Sequence, residues 1–547
     1  MPTLNWIGKD KVVNHHQVIP FRVLEHKYGF TAEIGVNNQE TKSGNKIIHG
    51  DNLEALKALL PEYEGKIKCI YIDPPYNTGN EKWVYNDNVN HPKIKKWLGE
   101  VVGKPSEDFT RHDKWLCMMY PRLKLLHKLL SDEGAIFISV DDNEQASLKL
   151  VMDEIFGSNK FVGQISWFKK RKGSYLSKEF ISLTEYVICY RKGEKLNLFG
   201  GKPNSEESQP LVKRTNSIGI LKFPANVVKT KLTDGIYPVG KYGKGSSSVD
   251  LLTEFEIKNG LIINDFELKG PFIWTQDFLD NELEIGSELI MNTNNFQPRA
   301  FRNSDDKFKG FPSFIDGREF SATNDDAYEN LIEIFGKEKV FDYSKPFNYV
   351  KYLINAVLYF DKKAIVLDSF AGSGTTGHSV LKLNEEDGGD RKFILIEMED
   401  YAEEITAFRI KKVINGYGNT DNFKEGTGGN FDFYQLGEPI FKDQQNLNEE
   451  VGETKIRKYI YYTETKQHLE REQKEEHKYL LDNYNDTSYY FYYEKDKLTT
   501  LSLDTLNIVT ERAEQYLIYA DHCLLDKDYM LAKNIIFKKI PRDIKRF

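Results

Sequence analysis

From Lys46 onward, short apolar runs take turns with amphipathic stretches: KIIHGD, LEALKALLPEY, KCIYIDPPY, WLCMMYPRLKLLHKLL, GAIFISVDD and EQASLKLVMDEIF. Apolar runs of strand length are covered on both faces, and the amphipathic helices between them supply the cover. The pattern therefore predicts an α/β fold with a largely parallel sheet. Two further strand candidates follow, GQISWFKK and EYVICYRK, and then the alternation stops. Residues 196–340 are rich in Gly, Ser, Asn and short alternating runs such as LIINDFELKGPFIW, with no long helical period until DDAYENLIEIFG. Alternation resumes with NYVKYLINAVLYF, AIVLDSF, AGSGTTG, HSVLKLN, KFILIEM and AEEITAFRIKKVI. A sheet begun, interrupted and completed is one domain carrying an insertion. The expected divisions are an N-terminal arm (1–45), the first part of the core (46–195), a β-rich insertion (196–340), the second part of the core (341–424) and a C-terminal accessory domain (425–547). The last contains a charged helical stretch, TETKQHLEREQKEEHKYLL.

The chain has 547 residues, 40% of them hydrophobic and 13% aromatic, enough apolar material for several cores. Its four cysteines, Cys69, Cys117, Cys189 and Cys523, form no CxxC pair, which suits a reducing compartment and predicts no metal site. The N-terminus lacks an apolar h-region and nowhere do eighteen apolar residues run together, so a soluble cytoplasmic protein without a membrane partner is expected. A net charge of −8 argues against global attraction to nucleic acid. Locally the sign reverses: between Lys160 and Lys244 there are about 17 Lys/Arg against about 6 Asp/Glu, which predicts a phosphate-facing surface or, more plainly, a solvated lysine-rich face.

Two short segments carry chemistry. AIVLDSFAGSGTTG sets Asp368, Phe370, Gly372, Ser373, Gly374 and Thr375 on a strand-turn-helix, where glycines admit a ligand close to the backbone and a helix start presents N–H groups. The next strand, FILIEM, ends at Glu397, where Rossmann-like folds place an acid for ribose hydroxyls. Gly372 to Gly377 also satisfies the dinucleotide pattern GxGxxG, so the turn alone leaves the adenosine cofactor open. GIYPVGKY has the spacing of a phosphate loop, but Tyr242 stands where a Ser or Thr must bind Mg²⁺, and no ATP site is expected there. In the second segment, CIYIDPPY, a buried strand stops at Asp73, Pro74, Pro75 and Tyr76. Asp73 and the Pro74 carbonyl, stiffened by Pro75, can accept two hydrogen bonds from an exocyclic amine, and Tyr76 offers a face for the base to stack on. Such a pair of acceptors activates the amine of a base flipped from a duplex toward an electrophile.

DPPY together with FAGSGT resembles the amino-group DNA methyltransferases that use S-adenosylmethionine, and the order of the two motifs is similar to that of their β class. LNWIGKDKVVNHH, IIHGDNLEALKALLPEYEGKIKCIYIDPPYNTGNEKWVYND and IIFKKIPRDI further resemble the modification (Mod) subunits of type III restriction-modification systems. The resemblance implies a circularly permuted Rossmann-like class I methyltransferase sheet with a target-recognition domain in the insertion. It implies S-adenosylmethionine as cofactor with no metal, and adenine-N6 methylation of double-stranded DNA. It also implies a homodimer and a separate restriction (Res) helicase-nuclease partner. Phe370, Gly372 and Gly374 would line the methionine part of the cofactor, Glu397 its ribose and Asp51 its adenine; Lys345-Pro346 resembles a KP motif near the cofactor carboxylate. Thr184-Glu185-Tyr186 resembles a later motif near the target base, while Asp51 reads equally well as a helix N-cap. Cytosine-N4 methylation, RNA methylation, a methyltransferase without a nuclease partner and a catalytically silent recognition subunit are the alternatives.

Overall fold

The computed structural model describes residues 4–78, 110–172, 180–202, 208–302, 308–419, 422–442, 446–495 and 497–542. The GNEKWVYND part of the family resemblance lies outside them. The described chain forms two compact units, one made of residues 1–198 and 312–547, the other of Phe199–Phe311.

The first unit is built on an eleven-stranded sheet: β1 (Arg22–Thr31), β2 (Gly35–Asn37), β3 (Lys46–His49), β4 (Ile67–Ile72), β5 (Leu130–Val140), β6 (Phe161–Phe168), β7 (Thr184–Arg191), β8 (Phe314–Asp316), β9 (Ile365–Asp368), β10 (Lys392–Glu397) and β11 (Asn430–Pro439). Their spatial order is β8-β6-β7-β5-β4-β9-β10-β3-β11-β1-β2. The run β5-β4-β9-β10-β3-β11 is parallel throughout, and β7 enters antiparallel to β5. From β4 the chain winds outward through β5, and from β9 it winds the other way through β10. The strand order thus reverses between β4 and β9, which is where an open α/β sheet forms its ligand crevice. This is an α/β Rossmann-like sheet in which the later sequence segment supplies a central strand.

The central strands read as uninterrupted apolar runs because helices cover both faces. Helix α1 (Asn52–Tyr63) buries Leu53, Leu56, Leu59 and Leu60; α2 (Thr110–Leu129) buries Trp115, Met119, Leu123 and Leu126; α3 (Gln145–Phe156) buries Leu148, Val151 and Met152. Across the sheet, α4 (Asn324–Phe335), α5 (Phe347–Leu358), α6 (Thr375–Asp387) and α7 (Phe408–Asn415) follow. Helix α1 starts at Asp51, whose Oδ1 accepts the N–H of Leu53 at 2.9 Å and of Glu54 at 3.1 Å.

Phe199–Phe311 folds around its own core of Leu221, Phe223, Val249, Leu251, Phe255, Ile257, Phe266, Leu268 and Leu289. Those residues alternate with exposed ones along short strands of a seven-stranded and a four-stranded sheet, and a helix at Gln276–Glu284 is capped by Thr275. The two ends of this unit meet: the Gly200 N–H donates to the Lys309 carbonyl and the Lys309 N–H to that of Gly201, both at 2.8 Å.

Several boundaries differ from the sequence reading. The insertion ends near residue 311 rather than 340, because β8 pairs in parallel with β6 and the Trp167 indole donates to the Ala322 carbonyl at 2.9 Å. Residues 22–37 are not an arm but the sheet strands β1 and β2, held by β11. Residues 430–439, assigned to the accessory domain, are β11 itself, paired with β3. In the C-terminal region the long helix α8 is Glu453–Thr465, which takes in only the first three residues of the charged stretch. It ends at Lys466, whose φ is 58°, and His468 is then pinned by the Pro61 carbonyl at 2.6 Å. Beyond it lies a four-stranded sheet of Leu480–Tyr484, Thr487–Phe491, Gln515–Ala520 and Ile535–Lys539. Among the described residues no helix is long and apolar enough to cross a membrane.

Candidate functional site

Four neighbouring strands deliver an acid each at their carboxyl ends. Asp73 follows β4, Asp368 ends β9, Glu397 ends β10, and Asp51 stands two residues past β3. The parallel register aligns Leu367 with Ile70, so the segments after β4 and β9 leave the sheet side by side. A small cleft opens there, with Asp73, Lys345, Asp368, Phe370, Gly372 and Ser373 among its lining. Thr375 completes that wall; Tyr71, Phe341, Tyr343 and Ser344, which the sequence reading did not single out, supply much of the rest.

The DPPY segment is pinned from below. The Trp115 indole N–H donates to the Pro75 carbonyl at 2.6 Å, and the chain then turns through Asn77 at a φ of 59°. The Asn77 amide donates to the Glu144 carboxylate, which also meets His112 Nδ1 at 2.7 Å. Pro74 is buried, and the Tyr76 hydroxyl donates to Glu185 Oε2 at 3.1 Å. Glu185 lies on β7, and its other oxygen accepts Lys169 at 2.7 Å.

The glycine turn has two positive-φ residues, Gly372 at 52° and Gly374 at 84°, the latter being the N-cap of α6. Glu397 clamps the turn by accepting the Gly372 N–H at 2.7 Å, with its other oxygen on the Glu399 N–H at 3.0 Å. Asp368 accepts the Phe370 N–H at 3.0 Å and the Thr376 hydroxyl at 2.5 Å. Arg409, buried and unsuspected from sequence, donates to the hydroxyls of Ser373 and Thr375, both at 2.8 Å. Burial pushes the Asp368 carboxyl up to about 7 and the Glu397 carboxyl up to about 8, against the pull of these hydrogen bonds.

Lys345 joins the two motifs. Its ammonium donates to both oxygens of Asp73, at 2.9 and 2.8 Å, and lies 4.8 Å from the centroid of the Tyr76 ring. Burial would lower the Lys345 pKa, but the carboxylates of Asp73 and Glu185 outweigh it and hold it above its ordinary value. Burial pushes the Asp73 carboxyl up despite Lys345. The ammonium thus sits on the DPPY side of the cleft, while Pro346 caps α5 and its carbonyl accepts the Val350 N–H at 3.2 Å. Asp51 caps α1 with one oxygen, and its other is 3.7 Å from Arg122. Asp51, Pro74, Pro75, Tyr76, Pro346, Gly374 and Glu397 are not among the residues that line the cleft.

Residues 67–408, more than half of the chain, match the N6_N4_Mtase family, described as DNA methylase. The chain belongs to this DNA methylase family. Both motifs of the methylase fall inside the matched segment. The chain is 32% identical to the type III restriction-modification enzyme StyLTI Mod subunit of Salmonella typhimurium, over 66% of its own length and 53% of that protein. It is 31% identical to the type II methyltransferase M.KpnI of Klebsiella pneumoniae, over 68% of its length and 87% of that protein. With the EcoP15I Mod subunit of Escherichia coli it shares 30% identity, over 73% of its length and 64% of that protein. The match thus spans about half of the first Mod subunit and under two thirds of the second.

The basic segment of this methylase is divided in its use. Lys169 is paired with Glu185, Arg171 with Asp326 and Glu329, and Lys160 with Glu194. Lys213, Arg214, Lys231, Lys241 and Lys244, all in the inserted unit, are exposed.

Proposed function

We propose that this methylase transfers a methyl group from S-adenosylmethionine to the N6 amine of an adenine flipped out of double-stranded DNA. The observation that carries the reading is the meeting of Asp73-Pro74-Pro75-Tyr76 with the glycine turn at the strand-order reversal between β4 and β9. Asp73 accepts one hydrogen of the amine and the Pro74 carbonyl the other, which directs the nitrogen lone pair out of the ring. Trp115 keeps the diproline in place through Pro75, and Tyr76 stacks on the base. The proton shed by the methylated amine leaves through Asp73 or solvent. Asp73 at the head of the motif favours adenine over cytosine.

The residues of the turn fit the cofactor: two positive-φ glycines, of which Gly372 lines the cleft, open the backbone before a helix start, and beside it the buried Ser369 hydroxyl between Asp368 and Phe370 has no hydrogen-bond partner among the described residues. When bound, S-adenosylmethionine supplies an electrophilic methyl group. Phe370, Gly372, Ser373, Gly374 and Thr375 hold its methionine part, Glu397 its ribose and Asp51 its adenine. Asp368 supports the turn through the Phe370 N–H.

Nucleoside mass spectrometry of unmethylated plasmid DNA incubated with the protein and cofactor tests the reading. N6-methyldeoxyadenosine is expected; N4-methyldeoxycytidine transfers the activity to the other amine, and neither product overturns it.

A pH dependence follows from Glu397. Ribose hydroxyls donate to an ionised carboxylate, whereas this carboxyl is protonated below about 8. Cofactor affinity therefore increases with pH up to about 8, by at most about tenfold per unit, because binding must expel the Glu397 proton. Calorimetric titration checks this, and Glu397→Gln should flatten the slope while weakening binding.

We further propose that the protein works in the bacterial cytoplasm, as a homodimer and as the Mod subunit of a type III system with a Res helicase-nuclease. The likeness to two Mod subunits supports this. A methyltransferase acting without a nuclease is the second reading, favoured by the fuller match to M.KpnI. Co-purification from the native host separates them: a helicase-nuclease in the complex supports the first, a homogeneous methyltransferase the second.

A further inference from the structure

Asp73, the acceptor assigned to the target amine, already carries a hydrogen bond on each oxygen, both from Lys345. An amine entering this position competes with that ammonium for the carboxylate's lone pairs. Lys345 is only 8% exposed, so its charge needs another carboxylate rather than water. One is in reach: Glu185 Oε2 lies 3.4 Å from the same Nζ. Burial would raise the Glu185 carboxyl, but Lys345 and Lys169 outweigh it and hold it below the ordinary carboxylate range, so it is an anion at neutral pH.

We propose that Glu185 is a positioning residue for methyl transfer, receiving the Lys345 ammonium when the target amine takes its place on Asp73. Little motion is needed, because the ammonium already lies between the two carboxylates. Lys169 stays on the outer oxygen of Glu185 and Tyr76 on the inner one, so the exchange leaves the stacking ring anchored. Lys345 is thereby a plug on Asp73 that yields to the amine, and Glu185 sets how readily it yields. This rests on the reading of Asp73 as the amine acceptor.

A double-mutant cycle on tritium transfer from S-adenosylmethionine to unmethylated plasmid DNA tests the proposal. Glu185→Gln is expected to lower kcat at least about tenfold with Lys345 present, and less than about twofold in a Lys345→Met background. Its cofactor Kd, measured by calorimetry, should stay within about twofold of wild type, which also reports a folded cofactor site. An equal loss in both backgrounds overturns the proposal, because anchoring Tyr76 alone would not depend on Lys345; so does no loss in either. Where a variant fails to fold or lacks measurable turnover, a crystal structure with sinefungin and a duplex that the wild type methylates decides. Lys345 on Glu185 supports the exchange, and Lys345 still on Asp73 beside a bound amine overturns it. A wild type that transfers no methyl group at all defeats the functional reading, whereas an active wild type with an uncoupled cycle defeats only this proposal.

Discussion

Asp73→Asn is expected to lower methyl transfer about 10³-fold or more while leaving the cofactor Kd within about threefold. Asparagine keeps the volume and one acceptor oxygen, but Lys345 draws on that oxygen, which turns the amide's donor toward the target amine, and the charge that holds Lys345 is lost. Stability should fall as well, since a buried ammonium then has only Glu185 left; losing one partner of a buried pair costs about 3–5 kcal/mol, and the second carboxylate offsets part of that. Tritium transfer, calorimetry with the cofactor and a thermal melt measure the three effects separately. Loss of cofactor binding in proportion to activity would remove Asp73 from the role of amine acceptor.

The second large effect is expected at the glycine turn. Gly374 adopts a φ of 84°, and a Cβ there would lie 3.1 Å from the Thr406 carbonyl oxygen, a backbone atom that cannot step aside. That backbone is itself fixed, because the Thr406 hydroxyl donates to the Gly372 carbonyl at 2.6 Å. Gly374→Val adds a β-branched residue in a left-handed conformation, with strain of about 1–3 kcal/mol. The strain is relieved only by re-forming the turn. Cofactor binding should weaken at least about tenfold, with a lower melting temperature, while binding to non-specific DNA is unchanged. An unaltered cofactor Kd would detach the turn from the cofactor.

The two motifs were legible because their signals are local. A strand closed by two prolines and a strand closed by GSG announce themselves within a few residues, and the apolar runs around them need no knowledge of partners. What escaped depends on distant chain. NFDFYQLGEP becomes β11 only because β3 and β1, far earlier in sequence, offer it two edges. TETKQHLEREQKEEHKYLL has the charge spacing of a helix, yet His468 is held by carbonyls at the end of α1, an attraction invisible in the segment itself. Residues 312–340 read as part of the insertion until β8 is seen beside β6. In the site, Arg409 looked like one more basic residue of an amphipathic helix, and its burial under Ser373 and Thr375 is a product of packing. The resemblance of Lys345-Pro346 to a KP motif implies a place near the cofactor carboxylate. The hydrogen bonds of Lys345 to Asp73 depend on which strands adjoin, a matter of topology.

The paired ends of Phe199–Phe311 make this unit exchangeable. Because Gly200 and Lys309 are bonded to each other, the chain leaves and re-enters at a single doorway, and whatever fills the stretch between them need only begin and end at adjacent points. A foreign module with the same spacing of its ends could be spliced in there while every residue assigned to the methyl-transfer chemistry keeps its neighbours. In such an architecture the stretch between the two points can be exchanged without rebuilding the part of the chain that carries both motifs.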